Sequence, residues 1–381
     1  MSGYIGNAPT AVPLTSADIT DGIIVNADIS STAGITLNKL SGNPSFRNRI
    51  INGDMRIDQR NAGASTTPTV SGTYNLDRWL CGLSQLSKFS IQQNQGAVTP
   101  PAGFTNYIGV TSLSAYSTIN TDQFWVGQYI EGLNSSDLNF GTANAKTVTL
   151  SFWTQSSLTG TFSGVLTNDG FNRAYPFTYT ISVANTWEYK TITIVGDTSG
   201  TWLKTNGAGI RVIFSLGVGS SYQLTAGAWT GTTALGATGE VSLVGNNGAT
   251  FKITGVQLEA GTSATDFEFL PIDVSLGRCK RYYHQVPTLT ALDGAIMIIA
   301  YDTTQLPCGV QFPVAMRAAP TVTSFDNTGA SGGIHKFGGG DFTGVDATRI
   351  ATTGFTNFNR SAGSMVAGAI YVATYKADAE L

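Results

Sequence analysis

The sequence predicts an all-β protein: an antiparallel jelly-roll sandwich, a short helical joint and a second, smaller C-terminal β-sandwich. The chain of 381 residues has only 12% charged residues and 45 glycines, a composition that disfavours helix interiors. β-branched and aromatic runs lie between clusters of Gly, Asn and Ser, which indicates strands joined by turns. In residues 147–153 and 191–195 apolar and polar side chains alternate, as in antiparallel strands with one solvent-exposed face.

Composition and charge exclude several classes of function. The net charge of −3 offers no basic patch for nucleic acid. The sequence has no run of about 18 apolar residues, so we expect no membrane insertion. The first residues lack the pattern of a secretory signal, which predicts synthesis in a cytoplasm. Cys81, Cys279 and Cys308 are too few and too scattered for disulfides or zinc, and we interpret them as buried apolar residues.

Residues 1–45 form a predicted extended attachment segment with a short repeat. The tripeptide Ala-Asp-Ile at residues 17–19 recurs at residues 27–29. One such segment buries too little apolar surface to offset backbone ordering, about 1–2 kcal/mol per residue. It therefore needs further copies of itself or a docking surface on another protein, unless it is a flexible linker. The predicted attachment residues are Ile5, Ile19, Ile23, Ile24 and Ile29.

Residues 46–272 form the predicted jelly roll. Turn signals such as Asn-Asn-Gly at residues 246–248 separate its candidate strands. The candidate strands span residues 49–58, 74–83, 88–93, 107–112, 124–131, 147–154, 177–183, 187–195, 210–216 and 250–259. A domain with this many strands is expected to form two packed sheets.

Residues 273–286 form a predicted helical joint that follows Pro271. A helix this short needs packing to hold it. Its apolar positions either face a second copy of the chain or lie on the sheet of their own chain. The positions at helical spacing, which we predict as a trimer joint, are Val274, Leu276, Cys279, Tyr282 and Tyr283.

Residues 287–381 form the predicted smaller β domain. Its candidate strands are residues 295–301, 308–312, 321–325 and 367–375. A glycine-rich stretch at residues 329–344 is predicted as a long loop or loose hairpin, a place where binding residues often lie.

Signals for catalysis are weak, and we predict that the protein is not an enzyme. Neither histidine, His284 or His335, accompanies a Gly-x-Ser-x-Gly motif, and the Gly-Gly-Gly at residues 338–340 lacks the Lys-Ser/Thr of a phosphate loop. Glycoside cleavage needs two carboxylates about 5–10 Å apart. The carboxylates available in the jelly roll are Glu131, Asp169, Glu188, Asp197 and Glu240.

Sugar binding has a better physical basis, since aromatic rings stack on the C–H faces of sugars and amides bind their hydroxyls. Trp79, Trp125, Trp153 and Trp187 are predicted core residues. The best exposed candidates, unless they cap a sheet edge or pack on another copy, are Trp202, Trp229, Tyr222, Tyr175, Phe171, Asn168 and Asn172. No cofactor is expected; for a structural calcium ion, Asn52 and Asp54 are weak candidates.

Several stretches carry a resemblance to a known family. They are RIINGDMRIDQR within residues 48–60, Asp-Arg-Trp at 77–79, TLSFWTQS at 149–156, GVQLEAG at 255–261, CKRYY at 279–283, MRAAPTVT at 316–323 and the ending YKADAEL. Together they resemble bacteriophage tail fibres and related prophage proteins. The match covers roughly residues 46–283, and the C-terminal run is similar to fibre tip domains.

The resemblance implies a carbohydrate-binding-module-like jelly roll in a homotrimeric virion fibre. Residues 1–45 would attach the fibre to the phage tail or another virion protein, and the β domains would bind a host cell-surface glycan. Two alternatives stay open: a head-decorating or connector fibre without a ligand, and a depolymerase of surface polysaccharide.

Overall fold

Antiparallel strands dominate the described chain, which comprises residues 45–286, 294–361 and 364–381 of this computed structural model. Residues Phe46–Leu381 form one compact unit. The predicted attachment residues between Ile5 and Ile29 lie outside the described part. Within that part, no helix is long and apolar enough to span a membrane. The all-β prediction is confirmed.

The jelly roll consists of two antiparallel sheets. Its strands are β1 (Thr73–Leu76), β2 (Trp79–Leu83), β3 (Phe89–Gln93), β4 (Ile108–Ser112), β5 (Gln123–Glu131), β6 (Val148–Ser156), β7 (Gly160–Thr167), β8 (Ala174–Ile181), β9 (Glu188–Ile194), β10 (Ala208–Val218), β11 (Gln223–Leu224), β12 (Gly236–Ala237) and β13 (Thr250–Ala260). One sheet has six strands in the order β1-β2-β5-β10-β7-β8, and the other has five in the order β3-β4-β13-β6-β9. β11 and β12 form a short parallel pair within the connection from β10 to β13.

The main hydrophobic core lies between the inner faces of these two sheets. Phe152 on β6 contacts Phe214 on β10 and Tyr179 on β8, in each case with 5.0 Å between ring centroids. Because strand side chains alternate between faces, the neighbours of these inward residues point to the outer faces. Those outer faces carry the candidate sites.

The predicted strand at residues 49–58 is wrong, because this segment consists of bends, a turn at residues 53–54 and an irregular stretch at residues 55–58. Asn52 has a φ angle of 57°, which does not fit a strand. Its side-chain amide donates to the Asp77 carbonyl at 3.0 Å and so ties the segment to the jelly roll. The predicted strand at residues 74–83 is divided into β1 and β2 by a turn at Arg78, where φ is 71°.

One α-helix, α1 (Ile272–Lys280), joins the jelly roll to the C-terminal strands. The predicted trimer joint is wrong for its buried members Cys279, Tyr282 and Tyr283. Cys279 and Tyr282 pack with Ile51 of the same chain, and the Arg60 guanidinium lies 3.7 Å from the Tyr283 ring centroid. Burial within their own chain leaves these side chains no surface for a second copy. Contact with another copy stays a prediction for the two half-buried members, Val274 and Leu276.

The C-terminal strands form one nine-stranded sheet. They are β14 (Tyr283–Gln285), β15 (Ile296–Ile299), β16 (Gln305–Gln311), β17 (Thr321–Phe325), β18 (Ile334–Lys336), β19 (Asp341–Phe342), β20 (Val345–Ala351), β21 (Gly354–Arg360) and β22 (Ile370–Asp378). β22 pairs with β14, β15, β17 and β18. The expected hairpin in residues 329–344 is confirmed as β18 and β19.

A buried charged seam joins the two β domains. The Glu380 side chain is 5% exposed, lies 3.0 Å from Arg60 and also pairs with Arg78. Nearby, Arg281 donates to both oxygens of Glu131, at 2.6 and 2.9 Å. The seam therefore connects Arg60 and Arg78, near the start of the jelly roll, to Glu380, two residues after the end of β22.

Candidate functional site

Two aromatic side chains form the floor of a groove on the outer face of the five-stranded sheet. Val148, Leu150 and Phe152 of β6 face the core, which places Trp153 on the outer face. Trp153 pairs with Tyr189 of β9, and their ring centroids lie 5.3 Å apart. The prediction that Trp153 belongs to the core is wrong, because adjacent strand residues cannot both point inward.

Three phenylalanines form the wall of this groove. Phe267 and Phe269 lie on the exit from β13, and Phe104 comes from the loop before β4. The ring centroids lie 5.2 Å apart for Phe104 and Phe267, 5.0 Å for Phe104 and Phe269, and 4.8 Å for Phe267 and Phe269. The rings therefore support one another at the side of the floor.

We name this depression the Trp153 groove. Its volume is about 530 Å³, within the range of about 300–1,000 Å³ that is typical of small-molecule sites. Tyr189 and Phe269 are 43% and 51% exposed, so their rings are open to a ligand. The lining residues are Phe104, Ser151, Trp153, Tyr189, Gly255, Ala264, Thr265, Asp266, Phe267 and Phe269.

A β-bulge in β13 permits the close approach of wall and floor. The pairing of β13 with β6 shifts register between Thr254 and Gln257, and Gly255 within the bulge has a φ of 62°. A Cβ atom at Gly255 would lie 2.6 Å from the Phe104 ring and 3.2 Å from Trp153. Glycine is therefore required here by both backbone conformation and space.

The buried carboxylate of Glu259 holds the turn that carries the wall. Its oxygens accept from Thr265 N and from Thr265 Oγ1, both at 2.8 Å. Arg47 Nε lies 3.5 Å from the same carboxylate and donates to Thr265 Oγ1 at 2.7 Å. These bonds fold residues 261–266 back over the outer face of the sheet.

Three of the predicted aromatic sugar-binding residues instead pack together in one cluster, in which Trp202 and Trp229 also contact Phe140. Trp202 and Tyr175 are each 7% exposed, so the expectation that they are exposed is wrong. Trp229 contacts both rings, with centroid distances of 5.5 Å to Trp202 and 5.3 Å to Tyr175. These rings bury apolar surface at the edge of the core, which is the capping role left open by the sequence.

The predicted amides also act within the structure. Asn168 is buried, and its Oδ1 accepts from the backbone nitrogens of Asn172 and Arg173, both at 3.1 Å. Asn168 Nδ2 donates to Asn172 Oδ1 at 2.7 Å. The pair stabilises the turn between β7 and β8 and does not face the Trp153 groove. The two remaining predicted residues, Phe171 and Tyr222, line a different depression on the opposite sheet.

The carboxylates considered for glycoside cleavage each have protein partners. Glu188 pairs with Lys190, Asp197 with Arg173, Asp169 with Arg211 and Glu131 with Arg281, while Glu240 accepts from Ser215. Burial raises the pKa of Glu240. Burial also acts to raise the pKa of Glu131, but hydrogen bonds from Arg281 and Tyr282 and the Arg281 charge leave it below its usual range. None of these carboxylates lines the Trp153 groove.

The weak calcium candidates have other partners. Asp54 pairs with Arg56, and Asn52 Oδ1 accepts from Ile57 N at 2.9 Å. Among the described residues, no group of three or more His, Cys, Asp or Glu side chains is placed to hold a metal ion.

Comparison with known proteins gives a fold likeness only. No protein-family model matches the chain, and no curated protein matches it. The enzymatically active domain of tailspike protein 4 from bacteriophage CBA120 has a TM-score of 0.31 and 13% identity over 56% of this chain. The match spans 22% of that tailspike chain. The family 11 carbohydrate-binding module from Clostridium thermocellum, in complex with a β-1,3-1,4-mixed-linked tetrasaccharide, has a TM-score of 0.27 and 11% identity, over 52% of this chain and 98% of that chain. These scores are too low to support an inference about ligand or activity.

Proposed function

We propose that the protein binds a cell-surface glycan in the Trp153 groove, without covalent chemistry, as part of a bacteriophage tail fibre. The observation that supports glycan binding is the set of five aromatic side chains around one open groove: Phe104, Trp153, Tyr189, Phe267 and Phe269. Aromatic rings supply flat apolar surface for pyranose faces. The exposed Asp266 supplies a carboxylate beside them, which gives the mixed apolar and polar lining typical of ligand sites.

The fibre role and the trimer rest on the sequence resemblance. In this proposal residues 1–45 attach the chain to the virion and the described domains face the host. Three copies in one fibre multiply a weak single-site affinity through effective concentration. Asp266 is the one carboxylate among the residues that line the groove, which favours binding over acid–base cleavage.

A glycan array with the full-length chain tests the binding function. We expect Trp153→Ala to lower binding by about 5- to 150-fold, since losing one stacked ring costs about 1–3 kcal/mol in comparable sites on nucleic acids. Tyr301→Ala is the matched control, because Tyr301 is 74% exposed and lies in the C-terminal domain. The proposal fails if wild type binds no glycan or if both variants bind alike.

Sedimentation equilibrium tests the fibre part separately. The 381-residue chain is expected at three times its own mass of 40.0 kDa at micromolar concentration. A single-chain mass would contradict the trimer and leave the groove unaffected.

A further inference from the structure

A second aromatic depression lies on the outer face of the six-stranded sheet. Its volume is about 300 Å³, and we name it the Trp125 groove. Its lining residues are Ser71, Gln123, Trp125, Tyr129, Phe171, Tyr222, Thr233 and Leu235. Because Trp125 and Trp153 lie on the outer faces of the two sheets, the grooves open on opposite sides of the sandwich.

A small hydrophobic cluster, separate from the main core, forms the base of this groove. Trp125 packs there with Leu80, Ile213 and Leu235, all buried. The Trp125 indole nitrogen donates to Gln123 Oε1 at 3.0 Å, which fixes the orientation of the ring. The base is therefore rigid, and its polar atom is already satisfied.

One arginine orders two of the aromatic walls. The Arg211 guanidinium lies 4.3 Å from the centroid of Tyr129 and 4.3 Å from that of Phe171, and it pairs with Asp169. Phe171 has a φ of 53°, and its carbonyl accepts from Thr233 Oγ1 at 3.0 Å. Phe171 is thus held against the groove by its side chain and by its backbone.

The remaining wall belongs to the connection between β10 and β13, which Glu240 anchors. The Glu240 carboxylate accepts from Ser215 Oγ at 2.8 Å and from Val218 N at 3.0 Å. Tyr222 lies in the same connection and is half-buried at the groove. Buried charge-assisted bonds of this kind fix a long connection to the sheet beneath it.

We infer that the Trp125 groove is a second saccharide site, so that one chain binds two glycan segments at once. This inference rests on the proposed function. The aromatic rings Tyr129, Phe171 and Tyr222 offer stacking surface, while Ser71, Gln123 and Thr233 offer hydroxyls and an amide at its sides. Asp169 neutralises the arginine beside the groove, which favours a neutral sugar.

Isothermal titration of the full-length chain counts the sites. The probes are cellohexaose, xylohexaose, chitohexaose and isomaltohexaose. For the probe that wild type binds, we expect two sites per chain, one after Tyr222→Ala, one after Trp153→Ala and none in the double variant. Tyr222→Phe keeps the ring and should keep two sites, and circular dichroism of each variant checks folding.

The outcomes separate this inference from the proposed function. Wild type could bind one probe molecule per chain, at a site that Trp153→Ala abolishes and Tyr222→Ala preserves. That result overturns the second site alone. Wild type could instead bind one probe molecule per chain, at a site that only Tyr222→Ala abolishes. That result overturns glycan binding in the Trp153 groove and supports glycan binding in the Trp125 groove. Failure of wild type to bind any of the four probes, together with no binding on the glycan array, overturns both.

Discussion

Gly255 is the residue on which the geometry of the Trp153 groove depends most directly. It occupies the left-handed region, and the Phe104 ring fills the space that a side chain would need. We expect Gly255→Ala to displace Phe104 and lower glycan affinity at least tenfold. Gly248→Ala is the matched control: its φ is 76°, but nothing lies within 4 Å of the added methyl.

Both variants incur the backbone cost of alanine at positive φ, about 1–2 kcal/mol, so thermal stability should fall in both. Only Gly255→Ala should also lose glycan affinity. Equal binding by the two variants in titration calorimetry would show that the approach of Phe104 to Trp153 does not shape the site.

The burial of His284 predicts that the folded protein loses stability in acid, independently of glycan binding. Its ring is buried beside Tyr375, and burial lowers its pKa from 6.5 to about 4, with a further contribution from the Lys280 charge. Between these pH values the unfolded chain binds a proton that the folded chain does not. The free energy of unfolding should therefore fall as the pH drops from 6.5 to 4, by up to about 3 kcal/mol from this residue.

Urea unfolding of wild type and His284→Asn checks this expectation. The variant should lose that part of the pH dependence, and its difference from wild type at pH 8 gives the baseline cost of the substitution. Parallel pH curves for the two proteins would contradict the assignment.

Trp153 also shows what residue-level sequence reasoning can recover. The alternation in residues 147–153 implies that Phe152 points inward and Trp153 outward, although we predicted Trp153 as a core residue. By contrast, no local signal distinguishes the buried Trp202 from an exposed one, since its partners Phe140 and Trp229 are distant in sequence. Local composition predicted a turn there, and tertiary packing decided the exposure.

At the scale of elements, the turn at residues 261–266 determines whether the groove has a wall. Glu259→Gln removes an acceptor from Thr265 and the negative charge that faces Arg47. We expect the amide of Thr265 to exchange with solvent at least tenfold faster, and glycan affinity to fall as the wall loosens.

Hydrogen exchange measured by NMR reports every amide at once, so a second amide of the same protein serves as the control. The Thr328 amide donates to Asp326 at 2.8 Å in the C-terminal domain and should keep its wild-type rate. Unchanged exchange at Thr265 would mean that the wall does not depend on Glu259.

The central strands were predictable because their alternation is strong: residues 250–259 became β13 (Thr250–Ala260). β7 (Gly160–Thr167) was missed, since its glycines indicate turns. Gly164 is nevertheless needed in the strand, because a Cβ there would lie 2.4 Å from both the Ile213 carbonyl oxygen and the Phe177 ring. The groove wall was not predictable, since it requires a turn to fold back onto a sheet.

At the scale of the whole molecule, we expect the buried charged seam to couple the unfolding of the two β domains. Glu380→Ala would leave Arg60 and Arg78 without their buried partner, and we expect a loss of about 3–5 kcal/mol of unfolding free energy. Asp378→Ala is the control: Asp378 also pairs with Arg60, but its side chain is 37% exposed, so the loss should stay below about 1 kcal/mol.

Guanidinium unfolding of the two variants measures these costs. Similar small losses of unfolding free energy in both variants would indicate that water solvates Arg60 and Arg78 when Glu380 is removed. The motifs behind the family resemblance cluster at this seam, since Arg78 belongs to the Asp-Arg-Trp stretch and Tyr282 to the CKRYY stretch.

The pairing of Arg78 with Glu380 spans 302 residues, which has a consequence for biosynthesis. A ribosome adding about 5–20 residues per second needs roughly 15–60 s to deliver the acid after the base. Throughout that interval the Arg78 guanidinium lacks its carboxylate partner, so we expect the seam to close only after residue 380 has been synthesised. Chaperone dependence during expression would follow from this delay.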